Sequence, residues 1–149
     1  MGVDVTHKFP GKRIPIGRLK KTAQKILQIL KQDRSELSLA LVGNREIQEL
    51  NARYRNKNEP TDVLSFPSGE RLPTGTQILG DVVISVEQAE KQATKRKQSL
   101  QEEMTSLLVH GILHLLGYDH ERSKKEAEIM RGMEKKIRRA LCRKQVLRV

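Results

Sequence analysis

The chain is poor in cysteine and in aromatic side chains. Of its 149 residues only Cys142 is a cysteine, tryptophan is absent, and aromatic residues make up 3% of the composition. A single cysteine excludes an internal disulfide, which is typical of proteins from a reducing compartment. With so few rings the core must be built from Leu, Ile and Val, and a chain of this length is long enough to bury one.

Long apolar runs are also missing. No segment reaches the length of a membrane span, and the first stretch, MGVDVTHKFPGKR, lacks the apolar centre of a signal peptide. We therefore expect a cytoplasmic protein that does not act at a membrane.

Positive charge, by contrast, is in excess. Lys and Arg number 29 against 18 Asp and Glu, a formal net charge of +11. From Glu121 onward eleven basic residues oppose four acidic ones, which leaves seven of these net charges in the tail. Such an excess favours a polyanionic partner, nucleic acid before an anionic membrane, with a merely solvated basic face as the alternative.

Hydrophobic periodicity predicts both strands and helices. Short apolar runs indicate strands at 3–6, 37–42, 61–67 and 80–85. Helical spacing and capping signals indicate helices at 16–32, from 44 to about 54, 86–98, 100–116 and from about 122. Because these elements do not strictly alternate, we expect an α+β fold in which a small mixed sheet of about four strands packs with helices. The whole chain, 1–149, is expected to form a single domain with a basic C-terminal helix and tail.

Individual residues mark the predicted ends of these elements. Asn44 is the expected N-cap of the second helix, and Ser85 and Ser99 each begin a capping box. Pro67 is expected to close the third strand before a polar loop at 68–77.

Apolar stripes predict which helix faces are buried. Tyr54 falls on the stripe of the second helix, so we expect it in the core rather than stacked on a nucleic-acid base. The last helix is expected to bury residues spaced four apart, Ile129, Met133, Ile137 and Leu141.

Three of the four histidines lie in one segment, HGILHLLGYDH, at 110–120. On a helix His110 and His114 share one face, a spacing that lets two imidazoles reach one metal ion. Gly117 is placed to end the helix, and the chain then returns His120 towards the same point. The alternative is a helix with two partly buried histidines and a third in a loop, but burying imidazoles without a ligand is costly.

Three neutral imidazoles would leave a coordination position open on a zinc ion, which prefers about four ligands. An open site of this kind is catalytic rather than structural, and it can supply hydroxide at neutral pH. Asp119 is expected to be a turn residue, with orientation of a ligand as the alternative role. The sequence does not select among zinc, nickel and copper, although we expect one divalent ion and take zinc as the candidate.

Gly111 argues against a peptidase. In the zinc-protease motif the residue after the first histidine is a glutamate that acts as general base, and here it is glycine. A metallopeptidase related to the zincins therefore lacks an evident base.

Three stretches of the chain together resemble the YbeY family of bacterial endoribonucleases. They are the histidine segment, LNARYRNKNEPTDVLSFP at 50–67 and LGDVVIS at 79–85. The resemblance implies an α+β zinc-type metalloprotein that cleaves single-stranded RNA, matures the 3′ end of small-subunit rRNA and takes part in ribosome quality control. It also implies that His110, His114 and His120 bind the metal, and that small-subunit ribosomal proteins and an assembly GTPase are partners.

Arg55 is the arginine of the family's Tyr-Arg pair, and the resemblance implies that it contributes to activity. Without the resemblance, the sequence indicates that Arg55 is an ordinary surface arginine in the loop that follows the second helix, although a guanidinium suits phosphate oxygens. Lys57, Lys124 and Lys125 are candidate contacts to an RNA backbone, with a solvated surface as the alternative.

A non-catalytic ribosome-assembly factor is the competing hypothesis. In it a structural metal holds the loop after the histidine helix, and the basic surface binds rRNA. Structural zinc is usually closed by a fourth protein ligand, for which Cys142 is the one cysteine candidate.

Overall fold

The fold was analysed in a computed structural model that describes residues 2–9, 14–32, 34–119 and 121–146, with side chains described up to 142. Its strands are β1 (Val3–His7), β2 (Glu36–Val42), β3 (Val63–Arg71) and β4 (Gln77–Ser85). Its helices are α1 (Ile16–Ile29), α2 (Asn44–Arg55), α3 (Val86–Lys95), α4 (Leu100–Leu115) and α5 (Lys124–Val146). Within these ranges no helix combines the length and the apolar character needed to cross a membrane.

The strands form one mixed sheet of four strands in the order β1-β2-β4-β3. β1 and β4 both run parallel to β2, and β3 returns antiparallel to β4 as its hairpin partner. β3 is therefore an edge strand. This sheet packed with helices confirms the predicted α+β class.

Alternate residues of the strands enter two separate cores. Leu39 and Ile84 belong to the larger core, which also contains residues of α1, α3, α4 and α5. Leu64 and Val83 face the opposite side and pack with Ile47 of α2 in a smaller cluster. Among the described elements, most of the helices thus lie on one side of the sheet, and α2 lies on the other.

α4 lies against the sheet with a mostly apolar buried face, and hydrogen bonds define both of its ends. Ser99 and Glu102 form the predicted capping box at its start. At its end Gly117 adopts a φ of +97°, its N–H donates to His114, and the N–H of Tyr118 donates to Leu113. These bonds make a Schellman turn, which confirms that glycine stops the helix and reverses the chain.

Pro67 does not close β3, and part of the predicted loop at 68–77 is strand. β3 continues to Arg71 beyond a register shift that follows Pro67. The N–H of Ser85 donates to the carbonyl of Asp62, so by alternation the backbone groups of Leu64 and Phe66 face β4. Those of Val63, Ser65 and Pro67 point away from β4. Proline at the open edge therefore removes no hydrogen bond between the strands.

Three helix boundaries also differ from the prediction. α1, predicted over 16–32, ends at Ile29. Gly43, not Asn44, is the N-cap of α2, and the Asn44 N–H donates to Glu87 of α3 at 2.7 Å instead. α3 ends at Lys95 rather than near residue 98, because the chain takes a left-handed conformation at Lys97, with φ of 56°. The Ser85 side chain accepts the N–H of Gln88, which is one half of the expected capping box.

Two predicted core positions are wrong. Ile129 of α5 is 48% exposed, whereas its neighbour Met130 is buried with Ile137. Seven residues make nearly two helical turns, so Met130 and Ile137 share a face that Ile129 does not. Tyr54 is 60% exposed because the α2 face that carries it reaches past the small cluster to the edge of the sheet.

Candidate functional site

The imidazoles of His110 and His114 meet on one face of α4. Their ring centroids are 4.7 Å apart, and the two Nε2 atoms are separated by 3.1 Å. A tetrahedral zinc ion with nitrogen ligands at 2.0–2.1 Å would hold two such atoms about 3.3 Å apart. The pair therefore has the convergence that one shared ion requires.

Glu134 of α5 orients the first of these rings. Its Oε2 atom lies 2.9 Å from Nδ1 of His110, and both side chains are largely shielded from solvent. A carboxylate that accepts the Nδ1 proton leaves the Nε2 lone pair of a neutral imidazole free to bind a metal. The two described imidazoles are therefore compatible with a shared metal ion, and α5 contributes a carboxylate beside them.

His120, the third predicted ligand, lies outside the described residues. Among those that are described, no three His, Cys, Asp or Glu side chains are grouped so that they could hold an ion. Asp119 accepts the N–H of Glu121 at 2.8 Å and an Nε–H of Arg122 at 3.3 Å, which agrees with its expected turn role. The hydrogen bond from Glu121, followed by the charge of Arg122, lowers the pKa of the Asp119 carboxyl from its usual value.

At Gly111 the backbone of α4 approaches the sheet closely. A Cβ atom at this position would lie 2.7 Å from Cγ1 of Val82 and 3.3 Å from Oγ of Ser65. The Ser65 hydroxyl in turn donates to the Gly111 carbonyl at 2.8 Å. Any side chain at this position would force Val82 or α4 to shift, so packing as well as sequence disfavours the protease glutamate here.

Arg55 is the last residue of α2 rather than part of the following loop, and its side chain is exposed. Asn56 then adopts a left-handed conformation, and the N–H of Lys57 donates back to the carbonyl of Asn51. The buried Asn51 amide donates to the Glu59 carbonyl at 2.9 Å. Asn51 therefore holds the loop that follows Arg55 against α2.

These elements enclose a cleft of about 500 Å³. Its lining includes Arg55, Lys57, Glu59 and Asp62 beside α2, Ser65 of β3, His110 and His114 of α4, and Asp119 and Glu121 of the following turn. Arg55 and two of the predicted ligands, His110 and His114, therefore line the same cleft. Its described lining carries both charge signs and is not uniformly basic.

The other predicted RNA contacts lie elsewhere. Lys124 and Lys125 are exposed at the start of α5 and do not line the cleft. Cys142 is exposed on the same helix and is not among the lining residues either.

Sequence reasoning missed Glu134 and Asn51. Glu134 occupies the buried stripe of α5 once that stripe is phased on Met130, and a carboxylate on an apolar stripe signals a polar partner. A buried stripe that starts from Ile129, as the sequence predicts, does not include Glu134, so the sequence gives no indication of its role. The role of Asn51 depends on the conformation of the loop after Arg55, which no local sequence pattern indicates.

Comparison with known proteins supports the resemblance to the YbeY family that the three sequence stretches indicate. The sequence profile of the family described as endoribonuclease YbeY matches residues 6–142. Endoribonuclease YbeY of Persephonella marina is 49% identical over 80% of this chain and 78% of its own length. The Aquifex aeolicus protein of the same name is 46% identical over 87% and 86%, respectively.

A solution structure of a Thermotoga maritima protein has the same fold, with a TM-score of 0.62 and 29% identity. The match covers 91% of this chain and 85% of that one. Sequence and structure thus agree over nearly the full length, and the chain belongs to the endoribonuclease YbeY family.

Proposed function

We propose that this protein is a metal-dependent endoribonuclease that cleaves single-stranded RNA, matures the 3′ end of small-subunit rRNA and contributes to ribosome quality control. The observation that carries the proposal is the pair of Nε2 atoms of His110 and His114, 3.1 Å apart in a cleft that also contains Arg55. Family membership supports the RNA substrate.

His110, His114 and His120 are the proposed ligands of one divalent ion, with zinc as the candidate. When bound, such an ion supplies Lewis-acid activation of water and positive charge beside the phosphate. Glu134 keeps the His110 ring in the orientation and tautomer that direct Nε2 into the cleft. Gly117 allows the chain to turn back towards the same point.

Arg55 binds the phosphate in this proposal. Its planar guanidinium can donate two parallel hydrogen bonds to phosphate oxygens and offset the charge that builds up as water adds to phosphorus. Hydrolysis forms a bond from the water oxygen to phosphorus and breaks the bond to one bridging oxygen, which leaves with a proton. Lys57 lies in the same lining and adds a second cation.

The acidic side chains of the cleft support metal dependence. Glu59, Asp62, Asp119 and Glu121 line it together with Arg55 and Lys57. A phosphodiester approaching these carboxylates is repelled unless another cation lies among them. A divalent ion would remove that repulsion.

The ribosomal setting is supported by charge. The chain carries a net charge of +11, most of it in the basic segment that begins near residue 122. Lys124 and Lys125 are the proposed contacts of this segment with the rRNA backbone. Small-subunit ribosomal proteins and an assembly GTPase are the proposed protein partners, and the cytoplasm is the proposed compartment.

Metal analysis combined with RNA cleavage tests the proposal. The purified protein should hold about one divalent ion per chain and cut a defined single-stranded RNA, and a chelator should stop the reaction. His114→Ala should lose both the ion and the cleavage. His7→Gln is the matched control, because His7 lies on β1 and does not line the cleft, and it should retain both.

The same experiment separates the competing functions. RNA binding that survives metal removal, without cleavage, would indicate the non-catalytic assembly factor. A Cys142→Ser variant that lost its metal would likewise indicate a closed structural site. Hydrolysis of peptides at matched metal content would indicate the peptidase.

A further inference from the structure

Tyr54 is exposed in a chain that has few aromatic residues. The sequence contains two tyrosines, two phenylalanines and no tryptophan. Tyr54 is 60% exposed, and it contacts Phe66 edge to face with ring centroids 5.3 Å apart and an angle of 68° between the planes. Half of the Tyr and Phe residues therefore form one pair, in which Phe66 packs against the smaller core and Tyr54 is exposed.

The pair lies beside the cleft. Tyr54 directly precedes Arg55 on α2, and Phe66 lies on β3 between Ser65 and Pro67. Arg55, Ser65 and Pro67 all line the cleft, whereas the two rings lie on the α2 side of the edge strand. An RNA strand that leaves the cleft across the β3 edge would contact the Tyr54 ring next.

The surroundings of Tyr54 are positively charged. Arg53 and Arg55 flank it in the last turn of α2, and Lys57 follows; all three are exposed. Aromatic rings set among cations are typical of surfaces that bind single-stranded nucleic acid, because phosphates contact the cations while bases stack on the rings. This charge complementarity indicates a polyanion with planar groups as the occupant.

We propose that Tyr54, supported by Phe66, is a stacking subsite for one unpaired base of an RNA whose neighbouring phosphate is bound at Arg55. The inference rests on the proposed function and deepens it. A base in a duplex has both faces covered by its neighbours, so only an unpaired nucleotide can present a free face to the ring. The subsite thereby gives the preference for single strands a physical source.

The contact with Phe66 also restricts the Tyr54 ring before any RNA binds. Phe66 packs against the small cluster around Ile47 and Leu64, and its contact limits the positions available to the tyrosine. A ring already held in place loses little conformational entropy when a base stacks on it.

The test uses the full-length protein and an RNA oligonucleotide with one cleavage site. Tyr54→Ala should raise KM about tenfold with kcat nearly unchanged, whereas Tyr54→Phe, which keeps an aromatic ring, should remain within about twofold of the original protein. Tyr54→Leu keeps apolar bulk without a π face and should resemble Tyr54→Ala. Ile129→Ala, which alters another exposed apolar residue, on α5, is the matched control and should have no effect.

A series of substrates with a single abasic nucleotide near the cleavage site identifies the stacked base. One abasic position should raise KM about tenfold for the original protein and cause no further increase for Tyr54→Ala. An abasic penalty that remains in full in Tyr54→Ala at every position, or a Tyr54→Ala enzyme with unchanged KM, would overturn the subsite.

Fluorescence anisotropy with the same oligonucleotide separates this inference from the proposed function. If the original protein did not cleave RNA but bound it in a Tyr54-dependent manner, nuclease activity would be wrong and the subsite would stand. If the original protein cleaved RNA and no Tyr54 variant changed cleavage or binding, the nuclease activity would stand and the subsite would be wrong. Thermal unfolding of each variant checks that the fold is intact.

Discussion

Nδ1 of His110 and Oε2 of Glu134 lie 2.9 Å apart, although 24 residues separate them in sequence. This contact joins α4, which carries the histidine pair, to α5, which is the most basic helix of the chain. The position of α5 therefore affects the orientation of a candidate metal ligand as well as the surface charge.

Removing the Glu134 carboxylate should weaken metal binding. Glu134→Gln retains a hydrogen-bond acceptor without the charge and should lower the affinity about tenfold, while Glu134→Ala should lower it up to about a hundredfold. Competition with a chromophoric chelator measures both affinities. Glu128→Ala changes an exposed acid of the same helix and should leave the metal affinity unchanged. If the Glu128 and Glu134 variants lost metal affinity equally, net charge rather than orientation of the His110 ring would be responsible.

The sequence was sufficient for features that depend on local chemistry. The capping box at Ser99 and the stop at Gly117 follow from side chains and backbone preferences within a few residues, and both were predicted. The four strands followed from apolar patterning, and a small mixed sheet packed with helices was expected from the order of the elements. The i, i+4 spacing was likewise enough to place His110 and His114 on one helix face.

Features that depend on distant neighbours were not predictable in the same way. Pro67 is compatible with β3 only because that strand is at the edge of the sheet, which is a property of the topology. Tyr54 is exposed because the smaller core ends before reaching it. The role of Glu134 depends on how α5 packs against α4, and the apolar stripe alone allowed two phases one residue apart.

Arg55 should matter for catalysis more than for stability. Its exposed side chain contributes little to the core, whereas loss of a donor to a phosphate in the transition state typically costs about 10²–10³-fold in rate. Arg55→Ala should therefore lower kcat/KM by about that factor with an unchanged melting temperature, and Arg55→Lys should recover only part of it.

Arg45→Ala provides the control for this prediction. Arg45 lies at the other end of α2, and its side chain is 95% exposed. Its replacement should leave RNA cleavage within about twofold of the original protein. If Arg45→Ala and Arg55→Ala reduced cleavage equally, the effect would come from overall charge on the helix.

Asn51 should position the loop that carries Lys57. Asn51→Leu keeps a side chain of similar size but leaves the Glu59 carbonyl without its buried donor, which should cost about 1–3 kcal/mol of stability. Hydrogen exchange in the peptide spanning 56–62 should become faster, and KM for RNA should rise. Gln48→Ala removes an exposed hydrogen bond to Asn58 in the same loop and should alter neither measurement appreciably.

Two helical glycines of this chain should respond to alanine in opposite directions. At Gly111 a Cβ atom would lie 2.7 Å from Cγ1 of Val82, so either α4 or β4 must shift, and Gly111→Ala should lower the free energy of unfolding by about 1–3 kcal/mol. At Gly132 of α5 a Cβ would meet nothing within 4 Å, and Gly132→Ala should raise it by up to about 1 kcal/mol through helix propensity. Urea unfolding of both variants measures the two changes. A Gly111→Ala protein as stable as the original would mean that α4 does not pack against the sheet as closely as described, and a glutamate at this position would no longer be disfavoured by packing.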